Sequence, residues 1–411
     1  MNSNATHNAD AAQTHLGVAA LLAMTTALGP LAIDTYLPAF PAIADSLGVT
    51  IQRVSLSIPV YIFVLALGQL IGGPLSDRFG RRVIMLSGLA IFGLGSLLIS
   101  LSHSLEALLV LRAVQAFGGG WASVCVPALV RDRLAGYEAA RFFSLIGLIV
   151  IAAPAIAPSL GSLILYNFSW NGIFLFLALY AMVAIPLVKR VIFPGELGKR
   201  MRTQPLTIWQ RYRAVFATRP ALRYMALQAM AFGIMLLFIT HAAFIYQVYF
   251  GQTPAMFALL FGANIAALVV VNLVNRHLLR RVSPQKLLRW GLTLQSVGIT
   301  LLVLVALFSP RLGLFVPAMM ITVGAMGAIA PNNQACFMEF FAESGGTASA
   351  LLGAIQYSVA GLIGAASTLL PDSLVAVVLA QAICSLLCLI LVWVGAATRM
   401  LNRAEPSTAR Q

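Results

Sequence analysis

Apolar residues run along this chain in blocks of roughly twenty or more, and short clusters of Arg, Gly, Pro and Ser separate the blocks. An α-helix rises about 1.5 Å per residue, so about 20 apolar residues match the roughly 30 Å of hydrocarbon in a bilayer. Broken at charges and Gly/Pro clusters, the pattern predicts spans near 16–40, 50–74, 83–101, 105–129, 142–165 and 170–188. A second set follows near 221–248, 254–275, 287–308, 312–335, 347–369 and 373–397. The longest polar stretch, 189–220, lies between the sets. The predicted fold is therefore all-α and integral to a membrane, with twelve transmembrane helices in two pseudo-symmetric six-helix bundles. The bundles occupy 16–188 and 221–397, with a basic linker between them and polar tails at 1–15 and 398–411.

Composition excludes the soluble alternative. Of 411 residues, 60% are hydrophobic and 9% charged, and mean hydropathy is +0.92. The formal net charge of +14 would suggest nucleic acid only if the basic residues clustered on one face with aromatics among them. They sit instead between the apolar blocks, so lipid and not nucleic acid is the expected surrounding. With the amino terminus in the cytoplasm, the even-numbered connections and the carboxyl tail collect nearly all the Lys and Arg outside the spans, while Arg53 and Arg311 fall in the opposite connections. That asymmetry predicts both termini in the cytoplasm. Residues 1–15 lack a basic n-region and a cleavage-like site, so the first span is expected to stay in the mature protein. The central segment KRVIFPGELGKRMRTQPLTIWQRYR reads as an orientation signal and interfacial helix, with a lipid-headgroup or partner site as the alternative. Cys125, Cys336, Cys384 and Cys388 lie in or at the ends of apolar runs without metal-ligand spacing, so no metal is expected. A GxSxG elbow, an HExxH pair and a GxxxxGK[ST] loop are all absent from the sequence, which argues against an enzyme and against ATP-driven transport.

Two charges remain at membrane depth: Asp34 in LAIDTYLPAF and Arg112 in LRAVQAFGGG. An isolated charge there costs about 2.5–3.5 kcal/mol even on insertion scales, and such residues mark ion or substrate routes. Asp34 precedes Phe40 by six residues and Arg112 follows Leu105 by seven, so both lie about 10 Å below the same boundary and a pairing is geometrically allowed. Burial and a nearby guanidinium act in opposite directions on a carboxyl proton, which suits a switch. A static ion pair that fixes helix packing is the alternative.

GGPLSDRFGRR, residues 72–82, closes the second span. Gly72 and Gly73 permit close helix approach, Pro74 loosens the local ladder, and Gly80 suits a positive φ. Asp77 stands among Arg78, Arg81 and Arg82, and could pair with Arg81 or with Arg131 at the end of span four. SGGTAS, residues 344–349, is a plausible helix start in a connection that carries Glu339 and Glu343 but no cation. Its N–H groups could face Asp77, which makes Asp77 a conformational latch between the halves.

The 72–82 stretch matches the loop signature of the major facilitator superfamily. LRAVQAFGGG, with Arg112 and Gln115, resembles the span-four signature of its proton-coupled drug exporters, and AIAPSLGS, residues 155–162, resembles their span-five antiporter motif. There Ala157 stands where a glycine is usual and Ser162 replaces the last glycine. IDTYLPAFPAIA, SWNGIF and GGTASALLGAIQ resemble the bicyclomycin-resistance-type branch of the drug:proton antiporters. The resemblance covers essentially the whole chain. It implies alternating access by two rocking bundles around a central cavity, with no cofactor and the proton gradient as the drive. Asp34 would be the proton-coupling carboxylate and Arg112 its modulator, with Pro154, Pro158 and Gly161 a tightly packed hinge or seal. It further implies a monomer in a bacterial-type inner membrane that exports small amphipathic compounds.

Cavity candidates among the polar residues of the spans are Tyr36, Gln115, Gln228, His241, Asn264, Asn332, Asn333, Gln356 and Tyr357, together with Trp121, which could stack on an aromatic compound with Phe117. For each the alternative is an ordinary interhelical contact, and His241 could also titrate. Two rival functions use the same scaffold or none of it: a proton-linked transporter of one metabolite such as a nucleoside, and a membrane sensor or anchor without transport.

Overall fold

A computed structural model describes residues 3–133, 136–193, 208–341 and 345–404, and within it the side chains of 17–130, 132, 142, 152–193, 212–341 and 348–393. All regular structure among the described residues is helical. Eleven stretches there are long and apolar enough to cross a membrane, and the helix Gly136–Asn167, whose side chains are described in part, stands in the fifth place. The last of the eleven are Ala348–Ser367 and Leu374–Trp393, so the twelve-span order of the sequence reappears with shifted ends.

The ends shift for local reasons. Residues 3–16 contain Ala5, Ala9, Ala11 and Ala12 and neither Gly nor Pro, and the first helix already begins at Ser3. At its far end that helix stops at Asp34, well inside the apolar block. Pro38 lacks the N–H that would bond the Asp34 carbonyl, and its ring would clash with that carbonyl. The chain turns through the 3-10 segment Leu37–Ala39 and resumes as the helix Phe40–Leu47. Asp34 therefore sits at a helix break and not in the middle of an unbroken span.

Span ten contains the reverse solution. It divides into Leu312–Gly324 and Met326–Met338, and Pro331 inside the second helix cannot donate to the Gly327 carbonyl. The side-chain amide of Asn272, from span eight, donates to that oxygen instead at 3.0 Å. A proline at membrane depth is tolerated because a neighbouring helix satisfies the freed group.

The two halves repeat the same contacts. A Cβ on Gly120 of span four would stand 2.9 Å from the Gln69 nitrogen of span two; one on Gly327 of span ten would stand 2.8 Å from the Asn272 nitrogen of span eight. A Cβ on Gly95 of span three would stand 3.0 Å from the Gln115 nitrogen, and one on Gly298 of span nine 2.8 Å from the Thr322 nitrogen. The shift from Gly120 to Gly327 and from Gln115 to Thr322 is 207 residues, and from Gln69 to Asn272 and from Gly95 to Gly298 it is 203. Matching contacts at offsets of 203 and 207 residues across six helices mean one packing plan used twice.

Between the halves, span two packs on span eleven and span five on span eight. Gly361 brings its backbone against Phe63 and Pro59, and Gly364 lies against Pro59 and Thr240. These contacts lie toward the face opposite the basic connections. There the apolar core is continuous across both halves, joining Phe40, Ile58 and Phe174 to Phe238, Tyr246, Phe257 and Phe315. Toward the basic face the second half has a separate core of Tyr224, Leu288, Phe337, Leu351 and Cys388, with no first-half residue in it among the described residues. Val215 of the linker helix Ile208–Ala217 is buried in that second core.

Candidate functional site

Asp34 is 5% exposed and so faces neither water nor lipid tails. Gly161 of span five packs directly on the carbonyl of Thr35, the residue after the break, and any Cβ there would overlap it. The antiporter-motif glycine thus holds the broken span one in place. Pro158 is buried and Pro154 half-buried, and the helix Gly136–Asn167 runs through both.

Arg112 is fully buried one helix away and does not pair with Asp34. Its Nη1 donates to the Ala32 carbonyl at 3.1 Å and to Gln115 Oε1 at 2.6 Å. The guanidinium carbon lies 4.4 Å from the ring centre of Tyr36, 4.3 Å from that of Tyr61 and 5.8 Å from that of Phe174. Among the described residues Nε and Nη2 have no hydrogen-bond partner. The cation is offset by aromatic faces, each worth about 2 kcal/mol when desolvated, and not by a carboxylate. Equal depth made the pairing possible; the rings of three helices closed around the guanidinium first. Among the described residues Asp34 has no ion-pair partner.

The box is itself braced. Ser57 Oγ donates to the Val54 carbonyl at 2.5 Å, so the Tyr36 hydroxyl, 2.6 Å from that oxygen, is the donor to it. Gln115 Nε2 donates to Ser96 Oγ at 2.7 Å, and Ser96 donates on to the Phe92 carbonyl. Tyr36 and Gln115, expected to line a cavity, are fully buried in this network, because an unpartnered buried cation recruits every polar and aromatic group in reach. Tyr61, Phe174, Ser57 and Ser96 went unnoticed in the sequence, where single aromatic and hydroxyl residues in apolar blocks carry no signal.

At the basic face Asp77 Oδ1 binds Arg81 Nη2 at 2.6 Å. Arg81 Nε also reaches Asp132 Oδ2 of span four at 3.3 Å, and its Nη1 donates to Ser76. Asp132 is the partner the sequence reading passed over, although the RDR triplet at 131–133 hints at it. The side chain of Arg131 lies outside the described residues, as do residues 342–344, so the expected meeting of Asp77 with the start of span eleven falls outside them too. Gly80 has φ 94° and ψ 146°, a conformation that favours glycine. Gly72 supplies the close approach, since a Cβ there would stand 2.9 Å from a Trp121 ring atom, while one on Gly73 would meet Val124 at an ordinary 3.8 Å and Pro74 stays within the helix. Arg78 lies over the Phe79 ring at 5.3 Å, and Arg82 has partners of its own. On the linker helix, burial first and the negative charge of Asp77 second raise the Tyr212 phenol above its usual range, which brings that helix within electrostatic reach of the loop.

The second half holds amides where the first holds charges. Gln228 Nε2 donates to Gln356 Oε1 at 3.0 Å, and Asn333 Nδ2 donates to Gln228 Oε1 at 2.9 Å. Asn332 donates to Asn275 Oδ1 at 2.6 Å, and Asn264 to the Tyr246 hydroxyl at 3.2 Å; both asparagines are buried. His241 meets Ser367 Oγ at 2.9 Å. Trp121, Gln356 and Tyr357 are half-buried, with Tyr357 edge-on to Phe232 at 5.3 Å. Among the described residues no group of His, Cys, Asp and Glu is arranged to hold a metal.

Two repeated helical bundles with buried, separated charges, joined by apolar packing at one face, define a multi-pass membrane transporter. The chain belongs to the Major Facilitator Superfamily, whose family model matches residues 22–365. It is 29% identical to a bicyclomycin resistance protein homolog of Haemophilus influenzae over 84% of this chain and 86% of that one. Multidrug resistance protein D of Escherichia coli is 27% identical over 96% of this chain and 99% of its own length. A chloramphenicol resistance protein of Pseudomonas aeruginosa is 28% identical over 84% and 82%.

Proposed function

We propose that this transporter exports small amphipathic compounds in exchange for protons, by alternating access, in a bacterial inner membrane with both termini in the cytoplasm. The carrying observation is Asp34: a carboxyl withdrawn from water at a helix break, clamped by Gly161, with no ion-pair partner among the described residues. A carboxyl that meets water when the halves move, and loses it when they close, is a group that can load and release a proton. Arg112 keeps its charge throughout, because guanidinium does not deprotonate in proteins. It sets the field that Asp34 feels, and the braced rings hold it at one distance until the helices shift. Core packing shared between the halves at the face opposite the basic connections supports a form closed toward the outside. Resistance-linked relatives support a drug-like substrate, and the protein works as a monomer that needs no cofactor.

Reconstituted protein tests this directly. A pH gradient across vesicles drives uptake of a cationic dye in the wild type. Asp34→Asn should reduce that uptake to background while the protein elutes and melts like the wild type; full proton-driven uptake by the variant removes the role given to Asp34. Arg112→Ala should change the pH profile of uptake, and an unchanged profile would make Arg112 a packing residue.

A further inference from the structure

His241 is a buried titratable group that the proposed cycle does not use. It lies near the end of span seven, 3% exposed, where the cores of the two halves merge. Thr240, its neighbour, stands 3.5 Å from the place of a Cβ on Gly364 of span eleven, and Pro59 of span two lies 3.1 Å from the same place. The ring meets Ser367, three residues beyond Gly364 on span eleven, and so lies beside the seam that closes the face opposite the basic connections.

Its hydrogen bonds favour the tautomer with the proton on Nε2. Ser367 Oγ has one hydrogen, and it goes to the Gly364 carbonyl at 2.7 Å. With that hydrogen on the carbonyl, the 2.9 Å contact from His241 Nε2 to the same oxygen is donated by the ring. A neutral ring with its proton on Nε2 has an open lone pair on Nδ1, which makes no hydrogen bond among the described residues. A proton arriving at Nδ1 would leave the Nε2 bond intact, so charging requires no rearrangement of partners. The elements around this end bring Asp34, Tyr36, Arg53, Tyr61, Tyr246, Tyr357 and Asp372, and none makes an ion pair or hydrogen bond with the ring. An imidazolium inside the closed seam would thus be an uncompensated charge, which destabilises the closed face.

We infer that His241 is a proton-responsive element of the outer seam: when that face opens, Nδ1 takes a proton from external water and holds the face open until the proton returns to the same water. The inference rests on the alternating-access reading above. It assigns no transported proton to His241, and so acts beside Asp34 rather than in its place. External acid would lengthen the outward-facing state in the range where a hydrated imidazole titrates, near neutrality.

Spin labels on cysteines introduced at Phe168 and Leu369, both exposed at the outer ends of their halves, report the opening; the four native cysteines are buried. In nanodiscs, lowering the pH from about 8 to about 5.5, a window that brackets imidazole titration, should lengthen the label distance in the wild type and in Asp34→Asn. The lengthening should vanish in His241→Gln. Lengthening that persists in His241→Gln, or its absence in the wild type, overturns the inference. Loss in Asp34→Asn with retention in His241→Gln gives the response to Asp34 and overturns the inference while leaving the proposed exchange standing. Nitrogen NMR needs no substitution at the site: with His7, His15, His103 and His277 replaced by Gln, the remaining ring should show its proton on Nε2 at pH 8, and a proton on Nδ1 there overturns the argument.

Discussion

Gly120 and Gly327 occupy the same place in their halves, each pressing a helix onto the backbone of its neighbour, yet eight residues before each the halves part company. In span four that position is Arg112; in span ten, 207 residues on, it is Met319, which is also fully buried. At the basic face the carboxyl of Asp77 in the first half corresponds, 203 residues on, to Arg280 in the second. The shared part is backbone contact and the divergent part is chemistry. Helix packing needs small residues at fixed spacings, and those constraints bind both halves equally. A buried charge has a cost that a second copy would double without adding a function, so one half carries Asp34 and Arg112 while the other closes its core with Met319 and amide pairs.

The comparison breaks most sharply at Met319. Replacing it by Arg buries a guanidinium in the apolar core, at a cost of about 3 kcal/mol or more, and the protein should fail to accumulate in membranes. The reciprocal Arg112→Met should still fold, since an apolar side chain removes the desolvation penalty of a buried ion; its melting temperature should hold or rise while proton-driven uptake falls. A fall in both would place Arg112 in the scaffold. The shared contacts predict a matched pair instead. Gly120→Ala and Gly327→Ala should each lose about 1–3 kcal/mol by overpacking, seen as similar drops in melting temperature, and unequal drops would limit the repeat to appearance. At the basic face Asp77→Asn should slow uptake several-fold with melting within about 1 kcal/mol of wild type, as for exposed ion pairs, and Arg280→Gln should leave uptake unchanged. The smallest effect belongs to the amides: Gln228→Ala or Gln356→Ala should change which compounds compete for uptake, with a stability cost near the roughly 0.6 kcal/mol of an average membrane hydrogen bond.

Much of this architecture was legible along the chain. Hydropathy located the apolar blocks, because the cost of placing a charge in hydrocarbon is paid residue by residue and needs no knowledge of neighbours. Gly80 could be read the same way, since a positive φ after an apolar block is a local demand. The expectation that Arg112 meets Asp34 rested on equal depth alone. Depth leaves the direction around a helix free, and Tyr61 and Phe174, from spans two and six, decided where the guanidinium went. The same limit hid Asp132 and the protein partners with which Tyr36, Gln115, Asn264 and Asn332 are buried.

What the chain determined by itself was the set of properties that each residue settles with its solvent or its own turn of helix: which blocks enter lipid, where prolines remove a donor, which two charges are stranded at depth. Tertiary structure alone decided which stranded charge was compensated and by what, that Gly161 clamps the turn after Asp34, and that Asn272 repairs the carbonyl freed by Pro331. Those outcomes depend on the rotation of helices tens of residues apart in sequence, set by the close packing of glycines on backbone, and no local pattern carries that angle.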